Sequence, residues 1–157
     1  MIIPYEALTD EAKVLIFPGS RKFFPAELPE LRERATVFCE NLKDVDLLFE
    51  LKYDRFLVFL VSENTPLSLE HHHQIVEFIQ GLENLFDLVL LDKVNVSFKQ
   101  GQYVQVKEIP DFKALIKNKG VSEKTIVFDH MINTKSEFES YWEMPAGQSW
   151  LAHFFKK

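Results

Sequence analysis

Three consecutive histidines, His71, His72 and His73, stand in the stretch "PLSLEHHHQIVEFIQ" (66–80) and are the densest run of metal-ligating side chains in the chain. A zinc-type site needs three or four such groups converging on one point. Successive residues on a helix point about 100° apart, so three neighbours cannot meet at one ion. Measured against the apolar stripe Ile75, Ile79 and Leu82, His71 and His72 project to its two flanks. His73 points away from the stripe, on the side of Glu77 and Gln80. His73 and Glu77 keep the i, i+4 spacing that can supply two ligands, and they are the remaining metal candidate here. The expectation is a boundary histidine pair, one solvated histidine, no bound metal and no cofactor.

Arginine and aspartate supply the other candidates. "FPGSRKFF" (17–24) joins a strand to a helix and places Arg21 in a loop with Gly19 and Ser20. Such a loop can offer backbone N–H groups and a cation to an anion. "YDRF" (53–56) sets Asp54 and Arg55 in a tight turn, where they can orient a ligand or simply build the hairpin. Asp129 and His130 end a strand and suggest half of an acid–base pair. Neighbours on a strand point to opposite faces, so the two cannot readily bond side by side. His130 shares its face with Ile126 and Phe128 and is expected at the edge of the core. Cys39 lies on the apolar flank of a helix and is expected to be buried and inert. No G-x-S-x-G or G-x-x-x-x-G-K-[ST] motif occurs, and the five glycines include no phosphate-binding pair. No catalytic residue is assigned.

These groups rest on a chain of 157 residues, 46% of them hydrophobic, with 15 phenylalanines. That is enough apolar material for a sizeable core and argues against disorder. A net charge of -6 disfavours nucleic acid, whose phosphates select lysine and arginine. The single cysteine cannot form an internal disulfide, which points to a reducing compartment. The start "MIIPYEALTDEAK" lacks the basic and apolar regions of a signal peptide. The run "FLVFLV" (56–61) is too short to span a membrane. A soluble cytoplasmic protein is expected, with no membrane or nucleic-acid partner.

The periodicities predict the elements. "KVLIFP" (13–18) and "RFLVFLVSE" (55–63) read as strands covered on both faces. "DLLFELKY" (46–53) alternates, with Leu47, Phe49, Leu51 and Tyr53 on one side, and turns near Asp54 into the second of these. Leu28, Leu31, Ala35, Phe38 and Leu42 mark an amphipathic helix over 27–42. A second helix is capped by Thr65, takes Pro66 in its first turn, and buries Ile75, Ile79, Leu82 and Phe86. Strands over 93–99 and 102–108 form a hairpin around "QG", followed by a helix from Pro110 to Gly120 and a strand over 124–130. Thr134 and Glu137 cap a short helix through Trp142, which Pro145 stops. Trp142, Trp150, Phe154 and Phe155 bring the C-terminal tail into the core.

The fold class expected is α+β: a ferredoxin-like β-α-β-β-α-β unit over about 1–99, extended by a β-hairpin-α-β-α part over about 100–157. With no Ser/Gly/Pro-rich linker, residues 1–157 are expected to form a single compact domain.

The pieces "IPYEAL", "YDRF", "LDKVNVSF" and "TKSEFESYWEMPAGQSWLAHFF" together resemble a bacterial family of short proteins often labelled "ABC transporter ATPase". The chain lacks the Walker A loop that such a label implies, and "AGQS" (146–149) only faintly echoes an ABC signature. The stretch "GQYVQVKEIPDFKALIKNKGVSEKTIVF", followed by Trp142 and Pro145, is similar to the GYF-like adaptor module. That resemblance implies a hairpin, helix and strand displaying a peptide-binding surface. The leading expectation is a non-catalytic protein acting through protein–protein or peptide contacts, with a second copy of the chain among the candidate partners. The alternative is a small-molecule or anion-binding protein, with enzymatic activity left open, that uses Arg21, Asp54 and Arg55.

Overall fold

The computed structural model describes residues 1–64, 66–92 and 94–156. It is an α+β protein of two antiparallel sheets. The chain divides into two compact units, Met1–Leu91 with Asn133–Ser136, and Asp92–Ile132 with Glu137–Lys157.

In the first unit, strands β1 (Lys13–Pro18), β2 (Leu47–Lys52) and β3 (Phe56–Val61) pair in the order β1-β3-β2. The register sets Leu15 and Phe49 on either side of Phe59, and Phe17 and Leu51 on either side of Leu57. Those residues form one face and pack with helices α1 (Leu28–Asn41) and α2 (Leu69–Phe86) in a common core. All six residues of β3 are buried, as its unbroken apolar run requires of a central strand. The alternation assigned to β2 holds at Leu47, Phe49 and Leu51, which all join the core. Tyr53 does not continue it. Tyr53 and Asp54 occupy the left-handed region (φ 55° and 53°), as the central residues of a tight hairpin turn do, and Arg55 N–H closes it onto Lys52 O at 3.0 Å.

The helices follow their stripes. Leu31, Ala35 and Cys39 are buried on α1, and Ile75, Ile79, Leu82 and Phe86 on α2. The start of α2 differs from the reading above. Ser68 caps it: the Ser68 hydroxyl accepts from His71 N–H, and Ser68 N–H donates to His71 Nδ1, both at 3.1 Å. Thr65 lies outside the described residues, and Pro66 precedes the cap instead of entering the first turn. Asp87 ends α2 in the left-handed conformation. The returning segment Asn133–Ser136 is tied to the N-terminal region. Val14 N–H donates to Asn133 O, and the buried Lys135 ammonium donates to Leu8 O at 2.9 Å beneath the Tyr5 ring.

The second unit holds β4 (Val96–Gln100), β5 (Tyr103–Lys107), β6 (Ile126–Phe128) and β7 (Glu143–Pro145) in the order β5-β4-β6-β7. The expected division near 99–100 thus falls earlier, at Leu91/Asp92, because β4 pairs with β5 and β6 and does not join the first sheet. Gly101 (φ 63°) opens the β4–β5 turn. Helix α3 (Ile109–Lys117) places Phe112 against Phe98 at 5.2 Å between ring centres. Its left-handed closing residue is Lys119, one position before the expected Gly120, whose N–H returns to Leu115 O. Helix α4 (Lys135–Tyr141) ends ahead of Trp142. Pro145 closes the edge strand β7, where its missing N–H is tolerated.

The tail packs as expected only in part. Leu151 is fully buried, and Phe154 and Phe155 lean on the same core, but Trp150 remains 42% exposed. Leu151→Ala should lower the unfolding free energy by about 2–5 kcal/mol. Trp150→Ala should change it by less than about 1 kcal/mol. Denaturant unfolding monitored by circular dichroism compares the two.

Candidate functional site

The structure brings Arg21, Asp54 and Arg55 to one corner of the first unit. Gly19 N–H donates to Arg55 O at 3.0 Å, and Phe23 N–H donates to Asp54 O at 2.8 Å. The approach is so close that a Cβ on Gly19 would lie 2.6 Å from Arg55 O and 2.8 Å from Arg21 O, both backbone atoms. Ser20 links the same loop to Val89: Ser20 N–H donates to Val89 O, and Val89 N–H donates to the Ser20 hydroxyl.

Within this corner the Arg21 guanidinium is committed. It meets Glu27 through two hydrogen bonds of 3.0 and 3.1 Å, donates to Lys22 O and Phe86 O, and lies 4.3 Å over the Phe24 ring. The bond from Glu27 raises the Arg21 pKa above its ordinary value, and Arg21 pulls the Glu27 carboxyl below the usual carboxylate range. Phe86 O belongs to the last turn of α2, where a cation also complements the helix dipole. Arg55 is partly buried, and that desolvation lowers its pKa. Asp54 contributes its backbone conformation and carbonyl to the turn.

The histidines separate as their positions predict: His71 and His72 are half-buried and His73 is exposed. His71 is fully engaged. Its Nδ1 accepts from Ser68 N–H, and its Nε2 lies 3.0 Å from Lys43 O, a carbonyl that can only accept, so the ring is the Nε2–H tautomer. His73 and Glu77 are both exposed, and among the described residues no group of three or more His, Cys, Asp or Glu side chains is placed to hold a metal. In the second unit, His130 is buried and its Nε2 is 3.0 Å from the Ser97 hydroxyl. Cys39 is fully buried, and desolvation pushes its thiol up to about 12.

An open groove lies elsewhere, along the seam of α1 and α2. Phe38 of α1 and Phe78 of α2 stack with their rings 4.3 Å apart and 9° from parallel. Both lie on Phe59, at 5.9 and 6.3 Å. On one side of the stacked pair is a cleft of about 410 Å³ bounded by Glu30, Glu33, Arg34 and Val37. On the other is a cleft of about 390 Å³ bounded by Asn41, Leu42, Gln74 and Glu77. Arg34 is paired with Glu30 at 3.0 Å. The rim therefore carries three carboxylates against one guanidinium around an apolar floor.

Phe38 was legible as part of the α1 stripe, but its stacking on Phe78, Val37 at 48% exposure and the clefts were not. No local pattern marks them: Val37 stands among Glu30, Arg34 and Asn41, and the stack joins residues of two different helices.

No known protein family, curated protein or solved structure matches the chain. No helix among the described residues is long and apolar enough to cross a membrane.

The Arg21–Glu27 pair yields a signed pH prediction. A depressed carboxyl contributes stability that is complete above the ordinary glutamate range and is lost as pH falls through the depressed value. Glu27→Gln should lower stability at neutral pH by about 1 kcal/mol, allowing for solvent screening. The gap from the wild type should close in acid. Urea midpoints at neutral and acidic pH test this, and equal midpoints at neutral pH would contradict it.

Proposed function

We propose that this is a non-catalytic protein that acts through protein–protein or peptide contacts, and that the α1–α2 groove of its first unit is the contact face. The observation that carries this reading is the pair of apolar clefts flanking the stacked Phe38 and Phe78, open to solvent beside an exposed Val37. Apolar grooves between helices receive the side chains of peptides and helices. The alternative, an anion or small-molecule site at Arg21, Asp54 and Arg55, is weakened by the four acceptor contacts already made by Arg21.

We further infer that the first unit is a ferredoxin-like unit short of its last strand. The order β1-β3-β2, with a helix after β1 and another after β3, supports this. The hairpin–helix–strand order of the second unit accords with a GYF-like part. A cytoplasmic location is consistent with a lone, buried cysteine that has no disulfide partner in the chain.

The test is a selection of peptides from a random displayed library on the intact protein, followed by amide chemical-shift mapping. Shifts should cluster on residues 30–41 and 74–85, and Val37→Glu should weaken binding at least tenfold. Shifts confined to residues 19–23 and 53–55 on adding inorganic phosphate, with none in the groove, would favour the anion reading instead.

A further inference from the structure

Gly81 sits deep in the 18-residue helix α2, where glycine is the poorest helix former after proline. Its backbone is ordinary helix, and an added Cβ would meet nothing within 4 Å. No contact inside the chain therefore requires a glycine at this position. On a helix, Gly81 points about 60° from Phe78, on the groove side and away from the buried stripe of Ile75, Ile79 and Leu82. A missing side chain on the Phe78 side of α2 lets another backbone come close there.

The rim chemistry restricts what that backbone carries. Glu30, Glu33 and Glu77 face one arginine, and Arg34 is itself bound to Glu30. A second copy of this chain, with a net charge of -6, would bring more negative charge to an acidic rim. A segment with lysine or arginine beside its apolar anchors is complementary.

Resting on the groove reading above, we propose that the occupant is an amphipathic helical segment of another protein, with apolar anchors in the two clefts, Lys or Arg along its edges, and its closest approach at Gly81. The two clefts lie in line along the α1–α2 seam, one on each side of the Phe38–Phe78 stack, as successive anchors of one docked helix require. One anchor enters on each side of the Phe38–Phe78 stack. The carboxylates of Glu33 and Glu77 meet the basic edges.

The probe is a displayed library of helical peptides, about 18 residues long to match α2, with Leu at positions spaced alternately by three and four residues and either Lys or Glu at every other position. Selection on the full-length protein should enrich Lys, and a synthetic Lys-rich winner should bind at least tenfold more tightly than its Glu counterpart. Gly81→Leu should raise the melting temperature yet weaken that binding at least tenfold, which separates docking from folding. Equal binding by Gly81→Leu and wild type, or enrichment of Glu, would overturn the proposal. Groove shifts that ignore peptide charge and Gly81 would leave the contact face standing and remove this occupant. Absence of groove shifts with every peptide would remove both. Concentration-dependent dimers in sedimentation, abolished by Gly81→Leu, would assign the groove to a second copy and likewise overturn it.

Discussion

Phe59 is the residue on which the first unit turns. It lies at the middle of β3 and is fully buried. Its ring is within 6.4 Å of four others: Phe17 from β1, Phe49 from β2, Phe38 from α1 and Phe78 from α2. Each large apolar side chain buried this way contributes roughly 1.5–3 kcal/mol. Offset or edge-on ring contacts add about 0.5–1.5 kcal/mol per pair. The two strand neighbours of Phe59 are set by register, Leu15 and Phe49; its helix neighbours are Phe38, from the α1 stripe, and Phe78, on the flank of the α2 stripe. Sheet and helices are thereby joined at one ring.

The same packing produces the groove. Phe38 and Phe78 fill the gap between the helices at the level of Phe59, and the seam on either side of them stays open. The clefts are the parts of the seam that the single stacked pair leaves unfilled. The opposite arrangement holds at the Arg21 corner. There, backbone bonds from Gly19 and Phe23 hold the 53–55 turn, and the Arg21 guanidinium is engaged by Glu27. Polar residues gathered in one place are doing structural work in that corner, and apolar residues left uncovered on the helices are the unexplained surface.

Local pattern made much of this readable. The stripes of α1 and α2, the buried run of β3, the turn at Asp54, buried Cys39 and the exposure of His71, His72 and His73 all depend on residues within a few positions of one another. The failures are non-local or too short to carry a pattern. Alternation in 93–99 identifies a strand but says nothing about which sheet it joins, and Val96–Gln100 pairs with β5 and β6. β7 has three residues and ends in proline, so it reads as a helix stop. Ser68 serves as cap with His71 three residues on, whose acceptor nitrogen returns the bond, a pairing outside the usual cap patterns. Arg21 reads as an exposed cation until Glu27 and Phe86 are seen around it. The Phe38–Phe78 stack joins residues 40 positions apart, beyond the reach of any local periodicity.

The α1–α2 seam, on the proposal above, is a face for a basic helical partner. Photo-crosslinking in cells of the native host tests it most directly, with a benzophenone amino acid placed at Val37 or Leu85 beside the groove, or at the exposed Val76 on the far side of α2. One discrete adduct is expected from Val37 and Leu85 and none from Val76, with mass spectrometry locating the bond in a Lys- or Arg-bearing amphipathic segment of another protein. Adducts between two copies of this chain, or equal yields from all three positions, would contradict it.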